Sequence, residues 1–474
     1  MLEFPWREGQ LHLFQLDGHL LLFDVASSSL FQIDEAAWAI LKEGKTSPLD
    51  VALARAREKF GPKAEEAFYE LKLLSLKGLI LAPDPALNAQ YAPFPYLKAL
   101  CLNLAHECNM RCSYCFAGQG TYGGERGLMP PEVARKAVDF LLERSGPLKR
   151  LEIDFFGGEP LLDFSVLKEA VLYGKERAEK MGKEIRFTVT TNCLLLSEQV
   201  GEFLNKTNMR VVLSIDGRKE DHDKNRLLIN GKGSHDLILS RIRKFLSSRG
   251  EKLYYLRGTY TAETLNFLDN ALYLFDLGYS EVSMEPVVAL PNEPYAIRAE
   301  HLPEIFRQYE LLAKEIDRRE REGRELHFFH FEVDTTGLTC VSKRLSGCGA
   351  GVEYLAVTPS GSLYPCHQFV GRSDFKMGTV WEGITNQEKL EEFRHLSFLE
   401  KENCRTCWAR YLCSGGCHAN HHLLSGNLKK PDFIGCEITK KRMECALYLK
   451  LLRRERGKGS AKERTEGLEK ESNI

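Results

Sequence analysis

Between residues 98 and 322, apolar strand-length runs alternate six times with helix-length segments. The strand-like runs fall at 98–104, 151–156, 185–191, 210–215, 253–260 and 281–287. The helix-length segments lie near 131–144, 164–181, 197–206, 235–248, 264–276 and 303–322. Repeated units of this kind predict a parallel sheet, because parallel neighbours need a crossover and a helix is the usual one. Six units fall short of the eight that close a barrel. The expected fold class is therefore α/β, built on an open or partial (βα)6 barrel. The residues that break the pattern follow the strands: three cysteines after the first, "GGEP" after the second, "TTN" at the end of the third and "SIDG" at the end of the fourth. In parallel α/β folds the carboxyl ends of the strands face the active site, so an enzyme is expected.

The cysteines are Cys108, Cys112 and Cys115, in "HECNMRCSYCF", with the spacing C-x3-C-x2-C. Thiolates so spaced can hold three corners of one iron–sulfur cube and leave the fourth iron open. A zinc site completed by a remote residue is the alternative. Of fourteen cysteines in the chain, seven more fall between 348 and 436. They read Cys348-x12-Gly361-x4-Cys366, then Cys404-x2-Cys407-x5-Cys413-x3-Cys417, then Cys436. No signal segment opens the chain and no uncharged run approaches membrane-spanning length, so a cytoplasmic location is expected and disulfides are not. Metal or cluster ligation accounts for the clustering. Cys101, Cys193 and Cys445 fit no pattern and are expected to be buried structural thiols.

Net charge is −1, which gives no global field toward nucleic acid or an anionic membrane. Residues 1–84 form a first unit. Two strands flank Asp17-Gly18, a hairpin signal, a third strand follows, and Asp34 is placed to cap a helix. "SPLD", with Ser47 and Asp50, resembles a capping box opening a second helix. A third helix is expected over about 63–77. Three strands then three helices suggest a winged-helix-like module. A DNA-binding one should be basic; residues 1–90 hold nine Lys and Arg against thirteen Asp and Glu. The Pro-rich stretch 85–97 reads as a linker, 98–330 as the barrel, 331–450 as a cysteine-rich domain, and 451–474 as a charged disordered tail.

With Tyr114 just before Cys115, the trio has the C-x3-C-x-aromatic-C form and resembles the radical S-adenosylmethionine (radical SAM) superfamily over residues 98 to about 290. The resemblance implies that the missing ligand is the amino and carboxylate groups of S-adenosylmethionine (AdoMet). One electron then splits the sulfonium, and a 5'-deoxyadenosyl radical takes a hydrogen atom from substrate. It implies cofactor contacts at Tyr114, at Gly157 and Gly158, whose backbone is open to a ligand, and at Glu159, facing the ammonium group. Further contacts are expected at Thr190, Thr191, Asn192, Ser214 and Asp216, and at Arg257, facing the carboxylate. No other catalytic side chain is singled out.

The later cysteines resemble the SPASM domain, which holds two auxiliary [4Fe–4S] clusters. The family scheme implies Cys404, Cys407, Cys413 and Cys436 for the second and Cys348, Cys366 and Cys417 for the first, with Cys340 as its candidate fourth ligand. The first unit resembles the recognition element that takes the leader of a precursor peptide as an extra strand. The three modules together, with "CFAGQGTYGGERGLM", look like the SCIFF-peptide maturases up to about residue 450. That implies a Cys-sulfur to α-carbon thioether in a short cysteine-rich peptide, and a low-potential electron donor as partner. The competing expectations are formylglycine formation, as in anaerobic sulfatase maturases, and a non-catalytic electron carrier or peptide-binding scaffold.

Overall fold

The computed structural model describes residues 5–86, 94–250, 252–335 and 344–457. Three strands open it: β1 (Leu11–Leu16), β2 (His19–Asp24) and β3 (Leu30–Gln32). Three helices follow: α1 (Glu35–Glu43), α2 (Leu49–Phe60) and α3 (Pro62–Leu76). Leu16 pairs with His19, so β1 and β2 turn on two residues. Those two, Asp17 and Gly18, have φ of 50° and 80°, the positive values a tight hairpin needs. The Asp34 side chain accepts the Ala37 N–H and caps α1. The expected cap of α2 does not form. Ser47 donates its hydroxyl to the Glu43 carboxylate, a charge-assisted bond, and Pro48 stands at the cap position. This unit has its own core around Trp6, Leu22, Ile40, Leu41 and Leu71.

One large sheet follows. Its strands are β4 (Ala99–Ala105), β6 (Arg150–Gly157), β7 (Glu184–Thr191), β8 (Arg210–Ser214), β10 (Tyr254–Tyr260), β11 (Glu281–Pro286) and β12 (His327–Phe328); between β4 and β6 lies β5 (Met110–Cys112), and between β8 and β10 lies β9 (Arg226–Leu228). The order is β12-β11-β10-β8-β7-β6-β4, and every neighbouring pair is parallel. Helices α4 (Pro131–Arg144), α5 (Phe164–Lys180), α6 (Glu198–Lys206), α7 (Lys219–Asn225), α8 (His235–Ser247), α9 (Phe267–Asp276) and α10 (Leu302–Arg321) supply the crossovers. β12, two residues long, carries no periodic signal and was not expected. The alternation in β6 turns Leu151, Ile153 and Phe155 into the core while Glu152, Asp154 and Phe156 stay half-buried on the other face.

The sheet does not stop where the cysteine-rich segment begins. β13 (Tyr354–Val357) pairs parallel with β4, and the short antiparallel strands β14 (Ser362–Tyr364), β15 (Gly378–Thr379) and β16 (Gly383–Ile384) extend it. The second cysteine cluster is thereby fixed against the strand that carries the first.

The last helix, Phe433–Glu455, ties the ends of the chain together. Glu444 hydrogen-bonds His12 at 3.0 Å, Tyr448 donates to Asp17 at 3.3 Å and Arg454 donates to the Leu30 carbonyl at 3.2 Å. The helix runs into the stretch expected to be a disordered tail. Arg453 pairs with Glu320 at 2.6 Å and Arg456 with Glu320 and Asp317, so four side chains hold the last turn on α10. Residues 458–474 lie outside the described residues. Among the described residues, no helix is long and apolar enough to cross a membrane.

Asp84 anchors the first unit to the cysteine-rich segment. Its carboxylate takes Arg410 at 2.6 Å and the Tyr411 hydroxyl, with Arg410 almost fully buried. Removing one partner of a buried pair strands the other. Asp84→Ala is expected to cost roughly 3 kcal/mol in denaturant unfolding. The reporter is tryptophan fluorescence, since Trp408 stacks on His12 at 3.7 Å across the same interface.

Candidate active site at the carboxyl ends of the strands

Past β4 the chain loops through Cys108, enters β5 and reaches Cys112 and Cys115. β5 pairs antiparallel with β9, which sets Arg226 opposite Cys112. Arg226 is almost fully buried, donates to the Tyr114 hydroxyl at 3.4 Å, and its Nε–H has no partner among the described residues. Tyr114 in turn donates to Asp216 at 2.6 Å. Tyr114, Asp216 and Arg226 thus fasten the cysteine loop to the end of β8. Burial pushes the Cys108 thiol up to about 12 and Cys112 to about 11, with the Arg226 charge pulling Cys112 back. A cluster bound here would displace the protons of these thiols.

The three thiols open on a cavity of about 400 Å³ lined also by the ends of β6, β7, β8, β10 and β11. A wider opening of about 930 Å³ lies at the amino ends of β7 and β8, away from these thiols.

Gly157 and Gly158 serve the cysteine loop more directly than any ligand. A Cβ on Gly158 would stand 1.9 Å from the Glu107 carbonyl oxygen, and one on Gly157, at φ 128°, 2.5 Å from that of Ala105. Gly158→Ala is expected to displace Glu107 and with it Cys108. We expect iron loading at this site to fall at least tenfold, measured by iron analysis after anaerobic reconstitution.

Glu159 is turned inward. Its Oε1 accepts from Leu161 N–H at 3.0 Å and Thr191 Oγ1 at 2.8 Å, and its Oε2 from Asn192 N–H at 2.7 Å. A carboxylate accepts about four bonds, so one position remains. Burial raises its pKa to about 7. Its visible work is to brace the ends of β6 and β7, not to offer a free charge. Asn192 continues the brace: its Nδ2 donates to Asn109 at 2.7 Å and lies 3.7 Å from the Cys108 sulfur. Thr190, Ser214 and Arg257 line the cavity. Asp216 does not. It sits behind Tyr114, buried, accepting also from Thr259 N–H at 3.0 Å, so it positions the loop instead of meeting a ligand.

Two residues of this wall were missed. Arg226 has no motif to announce it and is identified only by its pairing with β5. Glu285, at the end of β11, faces the cavity and is held by His330 at 3.0 Å, Arg442 at 3.7 Å and Arg257 at 3.8 Å. Burial would raise its pKa, but His330, Arg442 and Arg257 together hold it well below the usual carboxylate range.

The remaining cysteines fall into two groups whose members perturb one another. Cys366 feels Cys348 and Cys417, and Cys417 feels Cys348. Cys436 feels Cys413, Cys404 and Cys407. Cys417 also lines the cavity of the first trio, together with His367 and Gln368. Gln368 Nε2 lies 3.9 Å from the Cys417 sulfur. Among the described residues no three His, Cys, Asp or Glu side chains are gathered to hold one metal ion. A four-iron cube is wider than an ion and wants its thiols further apart. Cys101, Cys193 and Cys445 are buried; Cys101 packs in the same core cluster as Cys366 and feels its charge. Cys340 lies outside the described residues.

A family model described as the radical SAM superfamily matches residues 102–263, and one described as an iron-sulfur cluster-binding domain, SPASM, matches residues 348–408. The chain carries a radical SAM domain followed by a SPASM domain. The radical SAM cyclopropyl synthase TigE of Paramaledivibacter caminithermalis is 24% identical over 73% of this chain and 72% of its own length. A cysteine-type anaerobic sulfatase-maturating enzyme of Clostridium novyi is 24% identical over 71% of this chain and 90% of its own. Streptococcus suis SuiB, solved bound to S-adenosylmethionine, aligns over 91% of this chain and 100% of its own with a TM-score of 0.54 at 16% identity. A radical SAM domain followed by an iron-sulfur cluster-binding domain implies AdoMet and [4Fe–4S] clusters as cofactors, auxiliary clusters in the SPASM domain included. The described residues fit them: a thiol trio with no fourth cysteine in its group, beside a buried guanidinium with an unpartnered N–H.

Proposed function

We propose that this enzyme joins a cysteine sulfur to an α-carbon within a ribosomally made, cysteine-rich peptide. The observation that carries the reading is Cys417, which lines the same cavity as Cys108 and Cys112. A peptide in that cavity reaches both the radical site and the first auxiliary thiol group. SuiB has been solved bound to its precursor peptide SuiA, which supports peptide as the substrate class.

In this reading Cys108, Cys112 and Cys115 hold the AdoMet-binding cluster. Cys348, Cys366 and Cys417 hold the first auxiliary cluster, with Cys340 as its candidate fourth ligand, and Cys404, Cys407, Cys413 and Cys436 hold the second. The six strands from β4 to β11 form a partial barrel. The bound cofactors supply a 5'-deoxyadenosyl radical that removes an α-hydrogen. The chain supplies position. Tyr114, Asp216 and Arg226 fix the cysteine loop, and Glu159 and Asn192 brace it from the next two strands. Glu285 is too acidic to serve as a base near neutral pH. It is a permanent anion in the wall, suited to holding N–H donors of the peptide, with Arg257 beside it for carbonyls or a carboxylate.

The first unit serves as the leader-recognition element, a winged-helix-like module that does not bind DNA. β3 pairs with one strand, β2; its Leu30 carbonyl takes Arg454 of the last helix, and the end of β3 lies near α3. Between them lies a groove of about 400 Å³ lined by Phe31, Ile33, Ala67, Leu71 and Leu74. An extended leader can add a strand there, with backbone pairing for affinity and apolar pockets for alternate side chains. Ile33→Asp with Leu74→Asp is expected to weaken leader binding about 30-fold, near 2 kcal/mol, by fluorescence anisotropy of a labelled leader.

The deciding experiment incubates reconstituted enzyme, reductant and AdoMet with a cysteine-rich peptide encoded beside it. A thioether removes two hydrogens and one alkylatable thiol, located by tandem mass spectrometry. Loss of sulfur would assign formylglycine formation instead. An unchanged peptide and no 5'-deoxyadenosine would leave an electron carrier or scaffold.

A further inference from the structure

Lys401 is buried, with 3% of its surface exposed, and neither of its hydrogen-bond partners is an anion. Its Nζ donates to the Gly415 carbonyl at 2.6 Å and to His418 Nδ1 at 3.0 Å. His418 is itself buried and accepts that bond as an imidazole nitrogen. An ammonium group taken out of water without a counter-charge is strongly disfavoured. Burial pulls the Lys401 pKa down; the groups that would counter it once ionised are thiols from both later groups, Cys404 and Cys413 from one and Cys348 and Cys417 from the other.

The backbone places the lysine between them. Cys413 and Cys417 are separated by Ser414, Gly415 and Gly416, at φ of 55°, 85° and 68°. Three successive left-handed residues reverse the chain, so that its two cysteines serve different groups. Gly415, at the middle of the reversal, is packed on the lysine stem. A Cβ there would lie 3.3 Å from Lys401 Cδ. Lys401 thus holds the turn by its carbonyl and faces a thiol group on either side.

We propose that Lys401 is a counter-cation shared by the two auxiliary clusters, raising the reduction potentials of both. Reduction adds negative charge to a thiolate-bound cluster. A fixed positive charge nearby, in a medium of low dielectric constant, favours the reduced form. The inference rests on the reading of these seven cysteines as ligands.

The test is an EPR-monitored redox titration of the full-length, anaerobically reconstituted enzyme, with iron counted in every sample. Lys401→Gln removes the charge and keeps a donor; Lys401→Arg keeps the charge. In Lys401→Gln both auxiliary midpoints are expected to move to more negative potential. The shift is at least tenfold in the reduction equilibrium, about 59 mV for one electron. The midpoint of the AdoMet-binding cluster should stay, and Lys401→Arg should restore the other two. With full iron, unmoved midpoints, or movement of one auxiliary cluster alone, overturn the proposal. If Lys401→Gln sheds auxiliary iron, retention by Lys401→Arg supports the counter-charge and loss by both overturns it. Wild-type enzyme without auxiliary signals would fail the ligand reading beneath, a result distinct from signals that do not shift.

Discussion

Replacing Cys108, Cys112 and Cys115 together by alanine is expected to reduce 5'-deoxyadenosine formation to the background of the assay. Among the described residues these thiols are the only cysteines of their group, and they open directly on the cavity. The rest of that wall does not depend on them. Tyr114 keeps Asp216, Glu159 keeps Thr191 and Asn192, and β5 keeps its pairing with β9. The variant should therefore fold, lose about a third of its bound iron and keep the remainder. Anaerobic chromatography of the nucleoside with iron analysis on the same sample checks both halves. Residual 5'-deoxyadenosine at a tenth of the wild-type rate or more would place the radical chemistry elsewhere.

Changing Cys366 and Cys417 to alanine is expected to have the complementary effect. AdoMet cleavage persists, while cross-linked peptide falls at least a hundredfold. The first trio keeps its own ligands, so the radical can still be made. What is lost is the wall opposite. His367, adjacent to Cys366, packs against Phe156 of β6 at 4.9 Å and Phe116 of the cysteine loop at 5.7 Å. Cys417 completes that wall beside Gln368. Without the thiol group a peptide sulfur has nothing to bind next to the acceptor carbon. Both products are read from one reaction, the nucleoside by chromatography and the peptide by mass spectrometry. If cross-linking persists at more than a tenth of the wild-type level, the auxiliary group is not where the sulfur is held. Parallel loss of both products would show that the two groups cannot be separated.

β4, β6, β7, β8, β10 and β11 and the six longer helices among them were legible because each buries a continuous apolar face, and burial writes its period into the sequence; β5, β9 and α7 are too short for that and were not expected. The hairpin at Asp17-Gly18 and the cap at Asp34 were legible for a local reason: only a few residue types accept those backbone angles or donors. "SPLD" misled because a serine hydroxyl chooses among acceptors. The Glu43 carboxylate, also paired with Arg55, outbid the helix end. β12 to β16 are too short for any period to emerge. Arg453 and Arg456 read as solvated charge because their partners, Glu320 and Asp317, lie more than a hundred residues away.

At the site the sequence named the types of chemistry and the structure assigned the positions. Cysteine spacing is local, so the trio and the nested pairs stood out without coordinates. Glycine at 157 and 158 was evident, but its reason, the approach of Glu107, was not. Asp216 looked like a ligand until Tyr114 was found in front of it. Arg226, Glu285 and Lys401 carry no motif at all. The chain alone determined the parallel α/β core and the spacing of the cysteine trio and of the later pairs, since these follow from periodicity and from residues a few positions apart. Tertiary structure alone decided that Cys417 faces the cavity of Cys108, that Arg226 faces Cys112, and that one buried ammonium stands between two thiol groups. Charges act through space over a few ångströms, and only folding brings residues that far apart in sequence within that distance.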